Sequence, residues 1–377
     1  MTGSPGRATR PALAVASHPV FLSMNSLVSA AGIVPRSTPG DPVRFGRSWA
    51  AIPWAVLAIA VMGSVIWPRW SGQYAAWPFL ISAAVLGMPH GALDLRLAMR
   101  VRVGWSGRAV LAGVYLAVSA AAFALLWWLP LPTIVAFGLL SVVHFGMADA
   151  RDAAMIAGHA PPRGGALWMT AWGRGVFLLS LPFAWDPVGA MLPVEVALDL
   201  LGRDDVAYSE SMVSRGGTLC AGLGLLAVAA GVWREKRRAA VRVSPQPKGG
   251  SWGRLLTIHG GELALLSVAS ALLAPMFFVG LYFLGWHALR HLRRAAVLSG
   301  DRPGKPVRTI AHQHAWSLPL LLPTLAAYAL IGHAAIGWTA PMQWAVLLLL
   351  TFVVLTPPHH LLVEQAIALR RACATRD

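Results

Sequence analysis

The chain has 377 residues, of which 56% are hydrophobic and only 12% are charged, and its mean hydropathy is +0.60. Soluble domains carry about 25% charged residues, so this composition excludes a soluble enzyme and a disordered scaffold and predicts an integral membrane protein. The net charge of +16 would suit a nucleic-acid partner, but a membrane protein is expected to carry an excess of Lys and Arg in its cytoplasmic loops, and no nucleic-acid partner is predicted.

The predicted elements begin with a flexible basic tail, residues 1–48, which lacks the apolar density of a span. A helix needs about 20 apolar residues to cross the hydrocarbon core of a membrane. Ten segments of that kind follow, at 49–67, 77–95, 109–129, 131–149, 166–185, 216–233, 256–274, 275–293, 315–336 and 341–365. Residues 188–205 carry Glu195 and Asp199, and we interpret them as an interfacial helix rather than a span.

These segments predict an all-α fold, a polytopic membrane helix bundle of about 8–10 transmembrane helices. Residues 49–365 are the predicted transmembrane catalytic domain, and residues 366–377 are a cytoplasmic tail. With the N-terminus in the cytoplasm, 27 of the 31 Lys and Arg residues fall on the cytoplasmic side, while Arg174 lies within a span and needs an acidic or carbonyl partner. This asymmetry predicts an N-in, C-in protein of the cell (inner) membrane, with 234–255 as a basic cytoplasmic loop.

Histidines recur near the cytoplasmic ends of the predicted spans. They are His90, His144, His287, His291, His359 and His360, each late in a span that runs inward, and His259 at the start of a span that runs outward. Ionisable groups inside spans are costly, and by default they mark function. The i, i+4 spacing of His287 and His291 places both on one helical face, as in helices that supply two ligands to one metal. His90 and His144 would complete a four-histidine site.

The ligand type leaves the metal open, because imidazole suits Fe, Cu, Zn and Ni. The two cysteines, Cys220 and Cys373, give no thiolate site. Carboxylates near the histidines are expected to fix the imidazole tautomers, as such groups do around many metal ligands. These carboxylates are Asp94, Asp149, Glu262 and Glu364.

Simpler interpretations stand beside this one. A lone histidine within a membrane is more often a hydrogen-bonding residue between helices than a metal ligand. Taken singly, four residues are interpreted in that way or as loop residues: His259, His312, His314 and His333. One run of residues is also typical of a basic cytoplasmic helix end: His287, Arg290, His291, Arg293 and Arg294.

Four histidine-containing segments resemble the Brp/Blh family of membrane β-carotene 15,15′-dioxygenases. They are GMPHGALD at 87–94, VHFGMAD at 143–149, WHALRH at 286–291 and TPPHHLLVE at 356–364, and RGVFLLSLP at 174–182 is also similar to that family. The resemblance covers roughly residues 78–365, with the motifs in the family's order. The PPHH doublet leaves open whether His359 or His360 matches the family's terminal histidine.

The resemblance implies that β-carotene and O₂ are the substrates, and that the central 15,15′ double bond is cleaved to give two all-trans-retinal molecules. It implies an Fe(2+) cofactor held by His90, His144, His287 and His291. The polyene would enter from the lipid bilayer, and no protein partner is indicated.

Two other classes of protein remain open. A membrane oxygenase of the hydroxylase or desaturase type needs more clustered histidine boxes than the one HxxxH and one HH doublet found here. A non-catalytic, histidine-lined membrane carrier would spread its polar residues through the membrane depth. A retinal-holding protein is excluded, because its Schiff base needs an intramembrane lysine and Lys236, Lys248 and Lys305 all lie in predicted loops.

Overall fold

A computed structural model describes residues 47–86, 105–159, 161–203, 206–241, 252–298, 306–336 and 341–374. Every regular element within these ranges is helical, so the predicted all-α fold is confirmed. The helices are α1 (Arg47–Ile66), α2 (Trp70–Gln73), α3 (Trp77–Val85), α4 (Trp105–Trp128), α5 (Pro130–Ala157), α6 (Gly164–Trp185), α7 (Pro187–Leu200), α8 (Glu210–Val241), α9 (Trp252–Leu272), α10 (Pro275–Leu281), α11 (Leu289–Leu298), α12 (Pro306–Ile336) and α13 (Pro341–Ala374), with a π-helical segment, Tyr282–Ala288, between α10 and α11.

Six of these helices are long and apolar enough to cross a membrane, namely α1, α4, α5, α8, α9 and α13. Two bent pairs bring the number of candidate spans to eight if each pair is one span. In the first pair α7 turns by 103° from α6, and in the second the two halves of α12 meet at 66°. The chain is therefore a multi-pass membrane helix bundle, and its N-in, C-in orientation stays a prediction.

The structure departs from the predicted segments mainly at helix ends. Of segment 77–95 only α3 and Leu86 are described, and His90 lies outside the described residues. Segment 275–293 is α10, the π-helical segment and the start of α11. These elements have 7, 7 and 10 residues, and none of them alone is long enough to be among the six apolar spans.

Two predicted polar regions are partly helical. α8 continues to Val241 and α9 begins at Trp252, so both ends of the predicted loop 234–255 are helix. α13 continues to Ala374, through most of the predicted C-terminal tail. The extensions are rich in Arg, Glu, Lys and Ala, which favour helix even where they are too polar to lie in a membrane. The predicted tail 1–48 lies outside the described residues apart from its last two.

α7 occupies most of the segment interpreted as an interfacial helix. Asp186 caps its N-terminus, where one carboxylate oxygen accepts a 2.8 Å hydrogen bond from the backbone N–H of Gly189. Pro187 stands at the first helical position, where its missing N–H costs nothing. The sharp turn between α6 and α7 is therefore encoded by the Asp-Pro pair that joins them.

Candidate functional site

Two glycines bring α5 and α6 into backbone contact and thereby fix the position of His144. A methyl group at Gly146 would overlap the carbonyl oxygen of Ala171, and one at Gly175 would overlap that of Val142. Small residues permit such close helix packing inside membranes. His144 lies two residues from Gly146, about 200° around the helix, so its side chain faces away from α6 and toward the rest of the bundle.

His287 is carried by the π-helical segment, and His291 by the first turn of α11. π-Helical turns are rare, and they occur frequently at functional sites. Both imidazoles are buried, and their ring centres are 6.0 Å apart. The spacing therefore does place the two rings on one side of this chain segment, as the sequence predicted.

α13 adds two more histidines, His359 and His360, directly after Pro357 and Pro358. Prolines inside a helix remove backbone hydrogen bonds and bend it. His359 is buried and its ring centre is 5.3 Å from that of His291, whereas His360 is half-buried and contacts His144. Both members of the doublet thus reach the same region.

We call these five residues, His144, His287, His291, His359 and His360, the histidine cluster. His144 is at its centre: its Nε2 atom is 3.2 Å from Nε2 of His287, and its Nδ1 atom is 3.1 Å from Nδ1 of His360. Its ring centre is also 5.6 Å from that of His359. Side chains from three separate parts of the sequence therefore converge at one place in the bundle.

The distance between the Nε2 atoms of His144 and His287 fits two ligands of one metal ion. Two nitrogens bound at about 2.1 Å lie about 3.0–3.4 Å apart when the angle at the metal is about 90–109°. The same distance also suits a hydrogen bond between the rings. Within the described ranges, no group of three or more His, Cys, Asp and Glu side chains is arranged to hold a metal ion as it stands. The structure thus supplies a pair at ligand spacing with three further imidazoles beside it.

Arg294 constrains the tautomer of His291. Its Nη2 atom is 3.4 Å from Nδ1 of His291, and a guanidinium can only donate. Nδ1 therefore accepts, and the proton of a neutral His291 is on Nε2. Since a ligand nitrogen needs a free lone pair, His291 can bind a metal through Nε2 only after this contact is broken.

Aromatic rings border the histidine cluster. The ring of Phe145 is 4.6 Å from that of His287 in an edge-on arrangement, and the ring of Phe283 is stacked at 6.0 Å. Phe283 also contacts Phe352 of α13 at 5.0 Å and Phe79 of α3 at 6.2 Å. An apolar wall built from four helical segments therefore lies beside the imidazoles.

Buried ion pairs lie further along the same helices. Glu262 of α9 accepts hydrogen bonds from Arg174 at 2.5 Å and from Arg290 at 2.6 Å. Asp149, five residues after His144, accepts from Arg174 at 3.5 Å and from the hydroxyl of Tyr282 at 3.0 Å. Arg174 was predicted to need an acidic or carbonyl partner, and the structure gives it two acids.

Two further ion pairs link the helices that carry the histidines. Arg151 of α5 binds both carboxylate oxygens of Glu364 of α13, at 2.7 and 3.0 Å. Arg294 of α11 binds Asp152 of α5. We refer to all these pairs together as the ion-pair network. Along α5 and α13, the pair of Arg151 with Glu364 follows the contact of His144 with His360. Along α5 and the π-helical segment that continues into α11, the pair of Asp152 with Arg294 follows the contact of His144 with His287. α5, α11 and α13 therefore run in the same direction, as the predicted topology requires.

The alternative interpretation of the run from His287 to Arg294 as only a basic cytoplasmic helix end does not describe what its arginines do. Arg290 and Arg293 are 1% and 2% exposed, Arg290 binds Glu262 of α9, and Arg294 binds Asp152 of α5. The expected role of two carboxylates also changes: Asp149 and Glu262 bind arginines and Tyr282 rather than the imidazoles of the cluster. Asp94 lies outside the described residues.

Of the four predicted ligands, the structure brings together His144, His287 and His291, and it describes no position for His90. His259 instead accepts a hydrogen bond from Arg174 at 2.8 Å, in keeping with its interpretation as a residue that joins helices. The sequence pattern missed Tyr282 and the pairing of Arg151, whose partners lie far away in the chain.

Comparisons with known proteins point to one enzyme family. Residues 81–366 match the family model described as "Beta-carotene 15,15'-dioxygenase". The chain is 28% identical over 335 residues to "Probable beta-carotene 15,15'-dioxygenase Blh" of Halobacterium salinarum, covering 83% of this chain and 90% of the relative. It is 40% identical over 76 residues to "Beta-carotene 15,15'-dioxygenase" of an uncultured marine bacterium, covering 19% of this chain and 28% of that relative. No solved structure is significantly similar.

Proposed function

Because the chain belongs to the β-carotene 15,15′-dioxygenase family, we propose that it cleaves the central double bond of β-carotene with O₂. The 15,15′ carbon–carbon bond breaks, each of its carbons gains one oxygen atom, and two all-trans-retinal molecules form. Within the structure, the proposal depends most on one observation: buried imidazoles from three parts of the chain meet beside a wall of aromatic rings.

We propose an Fe(II) cofactor held by His90, His144, His287 and His291. The support is the donor set, which is composed of neutral imidazoles, and the ligand-like spacing of two Nε2 atoms. Bound there, Fe(II) supplies the activation of O₂ that addition to a carbon–carbon double bond requires. Neutral ligands of this kind would leave the positive charge of the ion in place, available to stabilise negative charge that develops on O₂.

The remaining work of the protein is to position the substrate. β-Carotene is a hydrocarbon, so it offers no polar group by which its central bond could be recognised. Rigid apolar surfaces must therefore align it, and Phe145, Phe283 and Phe352 provide such a surface next to His287. A geometrically fixed substrate reacts at the bond held over the reactive centre and not at its neighbours.

The membrane location fits this chemistry. Both β-carotene and O₂ partition into a lipid bilayer, so a multi-pass bundle can receive both substrates laterally from the hydrocarbon phase. We propose the cell (inner) membrane as the location, with the lipid bilayer as the source of the polyene.

The test is product analysis in cells that accumulate β-carotene. The intact protein, His287→Ala and the control His333→Ala are compared at equal amounts of folded protein in the membrane. His333 is exposed on α12 and lies outside the histidine cluster. We expect retinal from the intact protein and the control, and its loss in His287→Ala.

Other results would redirect the assignment. An apocarotenal of another length would keep the dioxygenase activity but move the scissile bond. A hydroxylated or desaturated carotenoid would favour the hydroxylase or desaturase class. Unchanged β-carotene, with folded protein and added iron, would reject the enzyme and favour a histidine-lined carrier.

A further inference from the structure

His144 has a histidine neighbour at each of its ring nitrogens. Its Nε2 atom faces Nε2 of His287 at 3.2 Å, within the buried part of the cluster, and its Nδ1 atom faces Nδ1 of His360 at 3.1 Å. A neutral imidazole has one N–H group and one lone pair. His144 can therefore present a lone pair at only one of these two contacts.

We propose that His360 is a positioning residue for His144. His360 accepts a hydrogen bond from Nδ1–H of His144, which leaves the lone pair of His144 on Nε2, where Nε2 of His287 also lies. Histidines that bind metals usually donate their second ring N–H to a carboxylate, a carbonyl group or water, and here an imidazole takes that place. The inference rests on the proposed metal centre.

The surroundings of the two contacts favour a hydrogen bond that His144 donates to His360. The contact of His144 with His287 is buried, as expected for a centre that excludes water, whereas His360 is only half-buried. Glu364 follows His360 by one helical turn of α13. A polar, partly exposed neighbourhood suits an outer imidazole that accepts a hydrogen bond better than it suits a ligand.

The register of the two helices is fixed independently of the imidazole contact. Arg151 lies seven residues after His144, two helical turns along the same face of α5. It binds Glu364, four residues after His360, through both carboxylate oxygens at 2.7 and 3.0 Å. This bidentate pair holds α5 against α13 one to two turns beyond the imidazole contact, and so keeps His360 in reach of Nδ1 of His144.

The two residues of the doublet, His359 and His360, make different contacts in the histidine cluster. His359 is buried against His291 and His144, with ring centres at 5.3 and 5.6 Å. Residues next to each other in a helix point about 100° apart, which directs His359 and His360 to different parts of the cluster. The proposal concerns His360 alone, and this makes the two residues separable by substitution.

The experiment is an anaerobic Fe(II) titration of the purified full-length protein in lipid nanodiscs. It compares the wild type with His360→Leu, His360→Asn and the control His333→Leu. Asparagine places its side-chain oxygen where Nδ1 of histidine lies, so it keeps the acceptor, whereas leucine removes it. We expect His360→Leu to bind Fe(II) roughly 10–100-fold more weakly, the usual cost of losing an outer partner. His360→Asn and the control should stay close to the wild type.

The outcomes separate this inference from the proposed function. A wild type that binds no Fe(II) would reject the metal centre itself. A wild type that binds Fe(II), with His360→Leu equally tight, would reject only the positioning role. Equal weakening in His360→Asn and His360→Leu would also reject it, and would make His360 a ligand.

A second measurement avoids reliance on variants that fold poorly. In the wild-type protein loaded with diamagnetic Zn(II), an N–H···N bond between two imidazoles gives a scalar coupling between their ¹⁵N nuclei in solid-state NMR. We expect such a coupling between two histidine Nδ1 nuclei. Its absence in the folded, Zn(II)-loaded protein would overturn the proposal.

Discussion

Replacing Glu262 with alanine removes the shared partner of two buried guanidinium groups. The carboxylate is 0% exposed, and its oxygens lie 2.5 Å from Arg174 and 2.6 Å from Arg290, whose side chains are each 1% exposed. Two positive charges would then remain in the low-dielectric interior, and the ion-pair partner that they keep among the described residues is Asp149, at 3.5 and 3.8 Å. Removing one partner of a buried ion pair costs about 3–5 kcal/mol.

Asp149 still compensates part of this charge, so we expect Glu262→Ala to lower the free energy of unfolding by about 4 kcal/mol. Glu364→Ala is the matched control, since it also removes a carboxylate paired with arginine. The side chain of Glu364 is 33% exposed, and water can replace it, so the expected cost is only about 1 kcal/mol. The difference of about 3 kcal/mol corresponds to roughly 100-fold in the unfolding equilibrium.

The measurement is reversible unfolding in mixed detergent micelles, followed by the fluorescence of the 17 tryptophans. A second variant tests the cause: in Glu262→Gln combined with Arg290→Gln, the loss should be smaller than the sum of the two single losses, because the charge imbalance is reduced. Equal costs for Glu262→Ala and Glu364→Ala, or strict additivity in the double variant, would refute the reasoning.

Two further predictions concern helix packing and substrate alignment. Gly146→Ala forces α5 away from the backbone of α6, so the yield of folded protein should fall sharply. The control Gly138→Ala, whose added methyl group meets nothing within 4 Å, should fold normally. Equal yields of the two variants by size-exclusion chromatography would contradict this prediction. Phe283→Ala removes a ring that borders both His287 and Phe352, so retinal formation should slow by roughly tenfold and off-centre apocarotenals should appear. The control is Phe123→Ala, which changes a side chain of α4 that is 57% exposed. If Phe283→Ala formed retinal alone, at an undiminished rate, Phe283 would have no role in aligning the substrate.

The helices could be predicted well because their signal is local. Runs of about 20 apolar residues identify a span without reference to the rest of the chain. The helix ends were predicted poorly for the opposite reason. α5 continues eight residues past the predicted end at 149, to Ala157, because Arg151 and Asp152 find partners on α13 and α11. Hydropathy assigns such charged residues to a loop.

In the candidate site, too, local features could be predicted from the sequence and long-range contacts could not. The spacing of His287 and His291 is visible in the sequence, and the structure places them together. The burial of Arg290 is not visible, since a basic run at the end of an apolar segment looks the same whether it faces water or acids. Its acidic partners Glu262 and Asp149, on two other helices, distinguish the two cases. Contacts between residues that are distant in sequence therefore determine which charges belong to the interior.

The arrangement of polar and apolar groups around the histidine cluster has a physical reason. Inside a bilayer, helices gain little by burying apolar surface, because lipid is as apolar as their side chains. Helices are instead held in register by close small-residue packing and by polar contacts, and the ion-pair network joins the helices that carry the histidines. A hydrocarbon substrate adds no directional contact of its own. Under the proposed function, the alignment of one double bond with the imidazoles would come from the apolar wall, whose position relative to the histidine cluster depends on the ion pairs that join α5, α11 and α13.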